Sequence, residues 1–85
     1  MEKKRTTVRV GGRDYPLVSS DSPEHLNRVA AYVDRQITET TFATRMPRDT
    51  VAVLVAMNIA DELMKAQDEC SRLRRELNAL REAQN

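Results

Sequence analysis

A long segment without helix-breaking residues constrains the fold more than any other feature of this 85-residue chain. Neither Gly nor Pro occurs between residues 50 and 85. These two residues disfavour a helix most strongly, so the whole segment can be helical. A helix from about residue 50 to 83 would be roughly 50 Å long at the usual rise per residue. A chain of this size cannot build a head that covers such a helix, and we expect part of it to contact another chain.

Apolar and small side chains recur along this segment at alternating steps of four and three residues, which is a seven-residue repeat. Such a repeat, sustained over several heptads, predicts a coiled coil and therefore self-association. The a positions are Ala56, Leu63, Cys70 and Leu77, and the d positions are Ile59, Ala66, Leu73 and Leu80.

Charges beside the repeat favour a parallel alignment of two copies. In a parallel dimer, Glu69 would face Arg74 of the other helix, and Glu76 would face Arg81. Each exposed pair contributes only about 0.2–1 kcal/mol, so these charges select an alignment more than they stabilise it. The alternative is an isolated amphipathic helix with solvated charges.

A second apolar face is present only in the first half of the long helix, where it contains Val53, Met57, Ala60 and Met64. A helix that is apolar on most sides is typical of a buried element. After Met64 only the narrow heptad stripe remains. We therefore predict a head at residues 6–64 and a coiled-coil stalk at residues 65–85, after a basic N-terminal arm at residues 1–5.

Residues 6–18 are predicted to form a β-hairpin, because Val8, Val10, Tyr15 and Leu17 alternate with polar neighbours. A type II′ turn at Gly12-Arg13 would place Val10 opposite Tyr15 and Val8 opposite Leu17, with all four side chains on one face. A turn at Gly11-Gly12 is the alternative, and it would leave Arg13 opposite Val10. A lone hairpin is marginally stable, so this one must pack on another element.

A first helix is predicted at residues 23–40. Ser22 is a good N-cap residue, Pro23 suits the first helical position, and Glu24 lies near the positive end of the helix dipole. The predicted end rests on Thr40-Thr41, which favour a helix weakly, and on Pro47. Residues 41–48 would then form a linker, with Asp49 or Thr50 capping the long helix. One face of the first helix is apolar and consists of Leu26, Val29, Ala30, Val33 and Ile37.

Enzymatic function is not expected from this composition. The chain has one His and one Cys, so it cannot form an internal disulfide, and His25 with Cys70 would not complete a zinc site. No nucleophile elbow, phosphate-binding glycine loop or convergent pair of carboxylates is evident. We expect neither a metal nor another cofactor.

The longest apolar run, Val51 to Met57, is too short to cross a bilayer. No apolar stretch follows the basic N-terminus, so we predict no signal peptide and a cytoplasmic protein. A net charge of +1 gives no general argument for binding nucleic acid. The alternative function is a DNA-associated or transcriptional adaptor that uses Lys3, Lys4, Arg5 and Arg9.

Three stretches of the sequence are distinctive when they are taken together. The hairpin reads VRVGGRDYPL at residues 8–17, and the first helix reads EHLNRVAAYVD at residues 24–34. The start of the long helix reads VAVLVAMNIADEL at residues 51–63. In this order the three stretches resemble the ZapA family of bacterial division proteins. The resemblance covers residues 6–65, with the family's coiled coil continuing beyond them.

The resemblance implies an α+β fold: a small N-terminal hairpin, one short helix and a long C-terminal helix that forms a coiled coil in an intertwined oligomer. It also implies homodimers, tetramers formed through the coils, and a charged head that binds and bundles FtsZ filaments at the mid-cell division ring. Arg13 occupies the family's Gly-Arg position at the hairpin tip, and is the first candidate for the FtsZ contact.

Three further arginines are candidates for the partner-binding site on other grounds. Arg9 would extend the patch around Arg13. Arg45 and Arg48 flank Pro47 near the start of the long helix, where positive charge is unfavourable for the helix dipole. An intermolecular contact would account for their presence, and so would ordinary solvation.

Overall fold

The protein, seen in a computed structural model, is described for residues 2–85. Its elements in chain order are β1 (Lys4–Val10), β2 (Arg13–Ser19), α1 (Pro23–Thr44) and α2 (Arg48–Gln84). The two strands form an antiparallel sheet, so the predicted α+β order of hairpin, helix and long helix is confirmed. Because β1 begins at Lys4, the last two residues of the predicted N-terminal arm belong to the hairpin. Met1, also in that arm, lies outside the described residues.

The predicted hairpin register is wrong by two residues. Val10 pairs with Arg13, and Val8 pairs with Tyr15, so the turn is at Gly11-Gly12. Gly11 has a φ of 61° and Gly12 a φ of 80°. A two-residue turn with positive φ at both positions is type I′, which two glycines adopt without the steric penalty of a side chain. A shift of two residues preserves the side-chain face, so the apolar pattern could not distinguish the two registers.

Pro16 is accommodated by its position in this register. It lies opposite Thr7, in the fourth pair counted from the turn. Counting from the hydrogen-bonded pair that closes the turn, this pair is a non-hydrogen-bonded one, whose backbone N–H groups point away from the neighbouring strand. The missing N–H of Pro16 therefore costs the hairpin no ladder hydrogen bond.

The start of α1 is as predicted, and its end is four residues later. The Ser22 hydroxyl accepts a hydrogen bond from the His25 backbone N–H at 3.1 Å, and Pro23 is in the first turn. At the other end, the Thr44 hydroxyl donates to the Thr40 carbonyl at 2.8 Å. Threonines of this kind bond back to the helix and cost it little. The helix ends instead where Arg45 adopts a left-handed conformation with a φ of 55°.

Helix α2 begins at Arg48, two residues before the predicted start, so that the connection to α1 is only residues 45–47. The Val51 backbone N–H donates to the Pro47 carbonyl at 3.0 Å. Pro47 therefore accepts the first bond of the helix, as an N-cap residue does, and Asp49 lies within the first turn. The helix continues to Gln84 without a break.

Few hydrophobic side chains are buried in the single chain. Val8 on β1 packs with Leu26 and Ala30 of α1, and Val10 joins them at the margin. Near the start of α2, Val51 is 1% exposed and Val55 is also buried. Many large apolar side chains of the described residues remain exposed, so most of the chain's hydrophobic surface is not used in its own core.

The chain divides into two compact units after Val55. The first contains the hairpin, α1 and the first turns of α2, and the second consists of Ala56–Asn85. The predicted boundary between head and stalk, at residues 64 and 65, refers to an oligomer and stays a prediction.

Candidate functional site

An apolar groove lies on the first unit, between the hairpin and α1. Its volume is about 360 Å³. Val8, Tyr15 and Leu17 line it from the sheet, and Val29 and Val33 are among the lining residues of α1. Tyr15, Leu17 and Val29 are exposed, because β1 packs on α1 whereas β2 leaves its apolar face largely uncovered.

The hairpin carries two of the predicted site arginines. Arg13 is exposed and begins β2 directly after the turn. No ion pair within residues 2–85 involves Arg13. The Arg9 guanidinium, in contrast, lies 3.0 Å from an Asp14 carboxylate oxygen across the hairpin. Of the two, Arg13 is the better placed to contact an acidic partner.

The other two predicted arginines lie on either side of the connection between the helices. Arg45 is exposed, and its backbone N–H donates to the Thr41 carbonyl at 2.9 Å. Arg48 Nη2 donates to the backbone carbonyl of Gly11 in the hairpin turn. The fold therefore brings Arg48 to the hairpin tip, although the two positions are far apart in sequence.

Sequence reasoning missed the half-buried Asp34 of α1. One of its carboxylate oxygens accepts a hydrogen bond from the Gly11 backbone N–H at 2.7 Å. In the sequence, Asp34 is one of the polar residues beside the apolar face of α1, and this position gives no signal of a long-range contact. Only the folded arrangement of hairpin and helix shows it.

The predicted oligomerisation residues form a stripe along α2 that is uncovered in the single chain. Ile59 is half-buried, and the other members of the set are exposed. Leu73 is 49% exposed and Leu77 is 48% exposed. Cys70 is a free, exposed thiol within the same stripe. Exposed leucines at heptad spacing on the otherwise polar C-terminal half of α2 indicate a surface that another helix can cover.

Charged side chains beside the stripe form pairs within their own helix. Arg72 contacts Glu69 and also Glu76, and Lys65 lies 2.8 Å from Asp61. The hydrogen bond and the negative charge of Asp61 raise the pKa of Lys65. Both acids predicted to face a partner helix are thus held by Arg72 in the single chain, and the pairing with Arg74 and Arg81 of a second copy stays a prediction.

No helix of residues 2–85 has the length and apolar character needed to cross a membrane. Over the same range, no three or more His, Cys, Asp or Glu side chains are grouped so that they could hold a metal ion.

The fold defines a class of small α+β protein with a hairpin, a short helix and a long helix. The apolar groove and the heptad stripe are exposed in the single chain, and other copies can cover them. The sequence model described as cell division protein ZapA matches residues 6–85. The chain belongs to the ZapA family of cell division proteins. This membership confirms the resemblance seen in the sequence, and it does not support the alternative of a DNA-associated adaptor.

Individual relatives agree with this assignment. The chain is 44% identical over 78 residues to a cell division protein ZapA of Geobacillus kaustophilus (strain HTA426), covering 88% of this chain and 84% of the relative. It is 31% identical over 77 residues to the ZapA of Bacillus subtilis (strain 168), covering 89% and 91% respectively.

A solved structure has the same fold. It is a ZapA mutant dimer from Geobacillus stearothermophilus, with a TM-score of 0.77 and 39% sequence identity over 92% of each chain. A dimeric relative with this fold supports self-association of the present chain, and so does the uncovered apolar surface described above.

Proposed function

We propose that this chain is a non-enzymatic adaptor of cell division that binds FtsZ filaments through its charged head. As an oligomer it would cross-link the filaments and promote assembly of the division ring at mid-cell. The observation that carries the proposal is the family match over residues 6–85, which includes both the hairpin and the whole of α2. No cofactor or metal is needed for this role.

Self-association of the head is proposed to use the apolar groove. Tyr15, Leu17 and Val29 are exposed there in the single chain, and covering them would remove apolar surface from water at about 25 cal/mol per Å². A second copy is the proposed occupant, in line with the dimeric relative. The stalks would pair along the heptad stripe, and two dimers would meet through their coils to give a tetramer.

Filament binding is proposed to depend on the arginines of the head. Arg13 is exposed beside the hairpin turn, where its charge can meet the acidic surface of FtsZ. Arg9 and Arg45 would extend this basic patch. Single contacts of this kind are weak, but an oligomer that presents several heads to a repeating polymer gains affinity from multivalency.

Cosedimentation with GTP-polymerised FtsZ tests this proposal. The wild-type protein should pellet with filaments, and the bound fraction should fall as salt is added, because exposed charges are screened. Arg13→Glu should reduce binding without unfolding the exposed turn. Arg28→Glu, an exposed arginine of α1, changes the net charge equally and is the matched control. Equal loss in both variants would show that only overall charge matters, and absence of wild-type binding would refute the proposal.

Truncation after Lys65 separates filament binding from bundling. The shortened protein lacks Cys70, Leu73, Leu77 and Leu80, and with them the proposed contact between dimers. We expect it to bind filaments but to leave them single in electron microscopy, whereas the full-length protein should produce bundles. Circular dichroism and sedimentation would confirm that the truncated protein is folded and dimeric. Thick bundles formed by such a dimer would show that two heads suffice.

A further inference from the structure

The hairpin turn is held by side chains from both helices. The Gly11 backbone N–H donates to an Asp34 carboxylate oxygen at 2.7 Å, and the Gly11 carbonyl accepts a hydrogen bond from Arg48 Nη2. Asp34 belongs to α1 and Arg48 is the first residue of α2. We call these three residues the hairpin latch. It joins all the elements of the first unit at one point.

The latch satisfies backbone groups that the hairpin itself leaves free. The central residues of a two-residue turn do not take part in the strand ladder. Gly11 is half-buried, and a buried N–H or carbonyl without a partner is costly. Asp34 supplies the acceptor and Arg48 supplies the donor, so both polar groups of one residue are satisfied. A free hairpin in water would have no such restraint.

Glycine suits the turn position of the latch. Gly11 has a φ of 61°, in the left-handed region. A Cβ added there would also lie 3.1 Å from Arg48 Nη2, which is closer than an ordinary van der Waals contact. The close approach of Arg48 and the conformation of the turn therefore both favour glycine at this position.

Arg48 is unfavourably placed for the helix that it begins. Positive charge at a helix N-terminus interacts unfavourably with the helix dipole. The first turn of α2 also contains Asp49, whose negative charge is favourable there. The hydrogen bond to Gly11 gives Arg48 a role within the chain. That role is an alternative to the direct partner contact expected for this arginine from the sequence.

We propose that Arg48 is a positioning residue, which fixes the hairpin turn so that Arg13 is presented to a partner, and which does not itself contact that partner. Arg13 lies two residues beyond Gly11, at the start of β2. Movement of the turn would therefore move the Arg13 side chain directly. The consequence for binding rests on the proposed interaction with FtsZ, whereas restraint of the turn by Arg48 does not.

Amide hydrogen exchange in the full-length protein tests the restraint. In Arg48→Ala, exchange of the Gly11 amide should become faster by roughly tenfold, the factor expected for loss of one net hydrogen bond. This amide is bonded to Asp34, so a change in its exchange reports movement of the turn as a whole. Arg28→Ala removes an exposed arginine from α1 and should leave the rate unchanged. An unchanged rate in Arg48→Ala would overturn the proposal.

Asp34→Asn is a second variant, and it weakens the restraint on the same turn from the side of α1. It should also accelerate exchange at Gly11, because a neutral amide oxygen accepts a weaker hydrogen bond than a carboxylate does. Its effect on filament binding should have the same direction as that of Arg48→Ala. Faster exchange with full filament binding in both variants would show that turn position is irrelevant to the partner, and would overturn the proposed role.

A double-mutant comparison distinguishes positioning from contact. Cosedimentation at low salt, where residual binding is measurable, would compare Arg13→Ala, Arg48→Ala and the double variant. If Arg48 acts through Arg13, its replacement should cause no further loss once Arg13 is absent. Losses that multiply would mean that Arg48 contacts the filament directly, and the positioning role would be wrong. If the wild type does not bind filaments, the function proposed above fails, and the exchange rates still decide whether Arg48 holds the turn.

Discussion

Replacing Leu73 and Leu77 by alanine should dissociate the stalk while leaving each helix intact. Both leucines belong to the heptad stripe, and each is about half-exposed in the single chain, at 49% and 48%. Alanine has the highest intrinsic helix propensity, so the substitutions do not weaken the helix itself. They remove the apolar surface that a second helix would cover.

The magnitude follows from the fraction of each side chain still exposed. Complete burial of a leucine is worth about 1.5–3 kcal/mol, so the remaining half is worth about 0.7–1.5 kcal/mol. With two leucines from each of two chains, pairing of the stalks should lose about 3–6 kcal/mol. This corresponds to an increase of about a hundredfold to ten-thousandfold in the dissociation constant.

Light scattering over a range of protein concentrations measures this change. The double variant should lose the largest oligomer at concentrations where the wild type retains it, and the heads can remain paired. Ser71→Ala with Asn78→Ala is the matched control, since both residues lie on the same helix beside the heptad positions. Wild-type molar mass at every concentration in the leucine variant would refute the assignment of the stripe as an oligomer contact.

Three further predictions concern the stability of the head, measured by urea unfolding at a fixed protomer concentration. Arg45→Gly should stabilise it by about 0.5–1 kcal/mol, because glycine adopts the left-handed φ of 55° without the penalty of a side chain; an unchanged midpoint would argue against strain at this residue. Ser22→Ala should cost about 1 kcal/mol through loss of the N-cap bond, whereas Ser22→Gly should cost only a few tenths, and equal effects would contradict the capping role. Gly11→Ala should destabilise the head more than Gly12→Ala. Both residues have positive φ, but of the two only Gly11 has another side chain within 4 Å of the added Cβ. The opposite order would contradict the close approach at Gly11.

The register of the hairpin illustrates where local patterns stop being informative. Alternation of Val8, Val10, Tyr15 and Leu17 identified the strands and their shared face. It could not choose between two registers that differ by two residues, because both keep that face. The choice depends on backbone conformation, since two adjacent glycines permit positive φ at both turn positions. Preference for apolar cross-strand pairs predicted the wrong turn.

The two ends of α1 differ in what determines them. A single local interaction determines the start, whereas several weak effects determine the end. Ser22-Pro23 specified the start of α1 correctly, because a cap acts through bonds within three residues. The end of α1 lies later than the sequence predicts, because its threonine hydroxyls can bond to carbonyls of the preceding turn and so remain within the helix.

By itself, the sequence determined the order of the elements, the apolar faces and the heptad stripe, because periodicity and capping depend on residues close together in the chain. Tertiary structure alone decided that Arg48 and Asp34 meet at Gly11. It also decided that Arg9 pairs with Asp14, whereas no ion pair within residues 2–85 involves Arg13. The Arg48 contact joins residues 37 positions apart, and the Asp34 contact joins residues 23 apart. No local pattern encodes such contacts, since they arise only when packing of β1 on α1 brings the hairpin turn to the two helices.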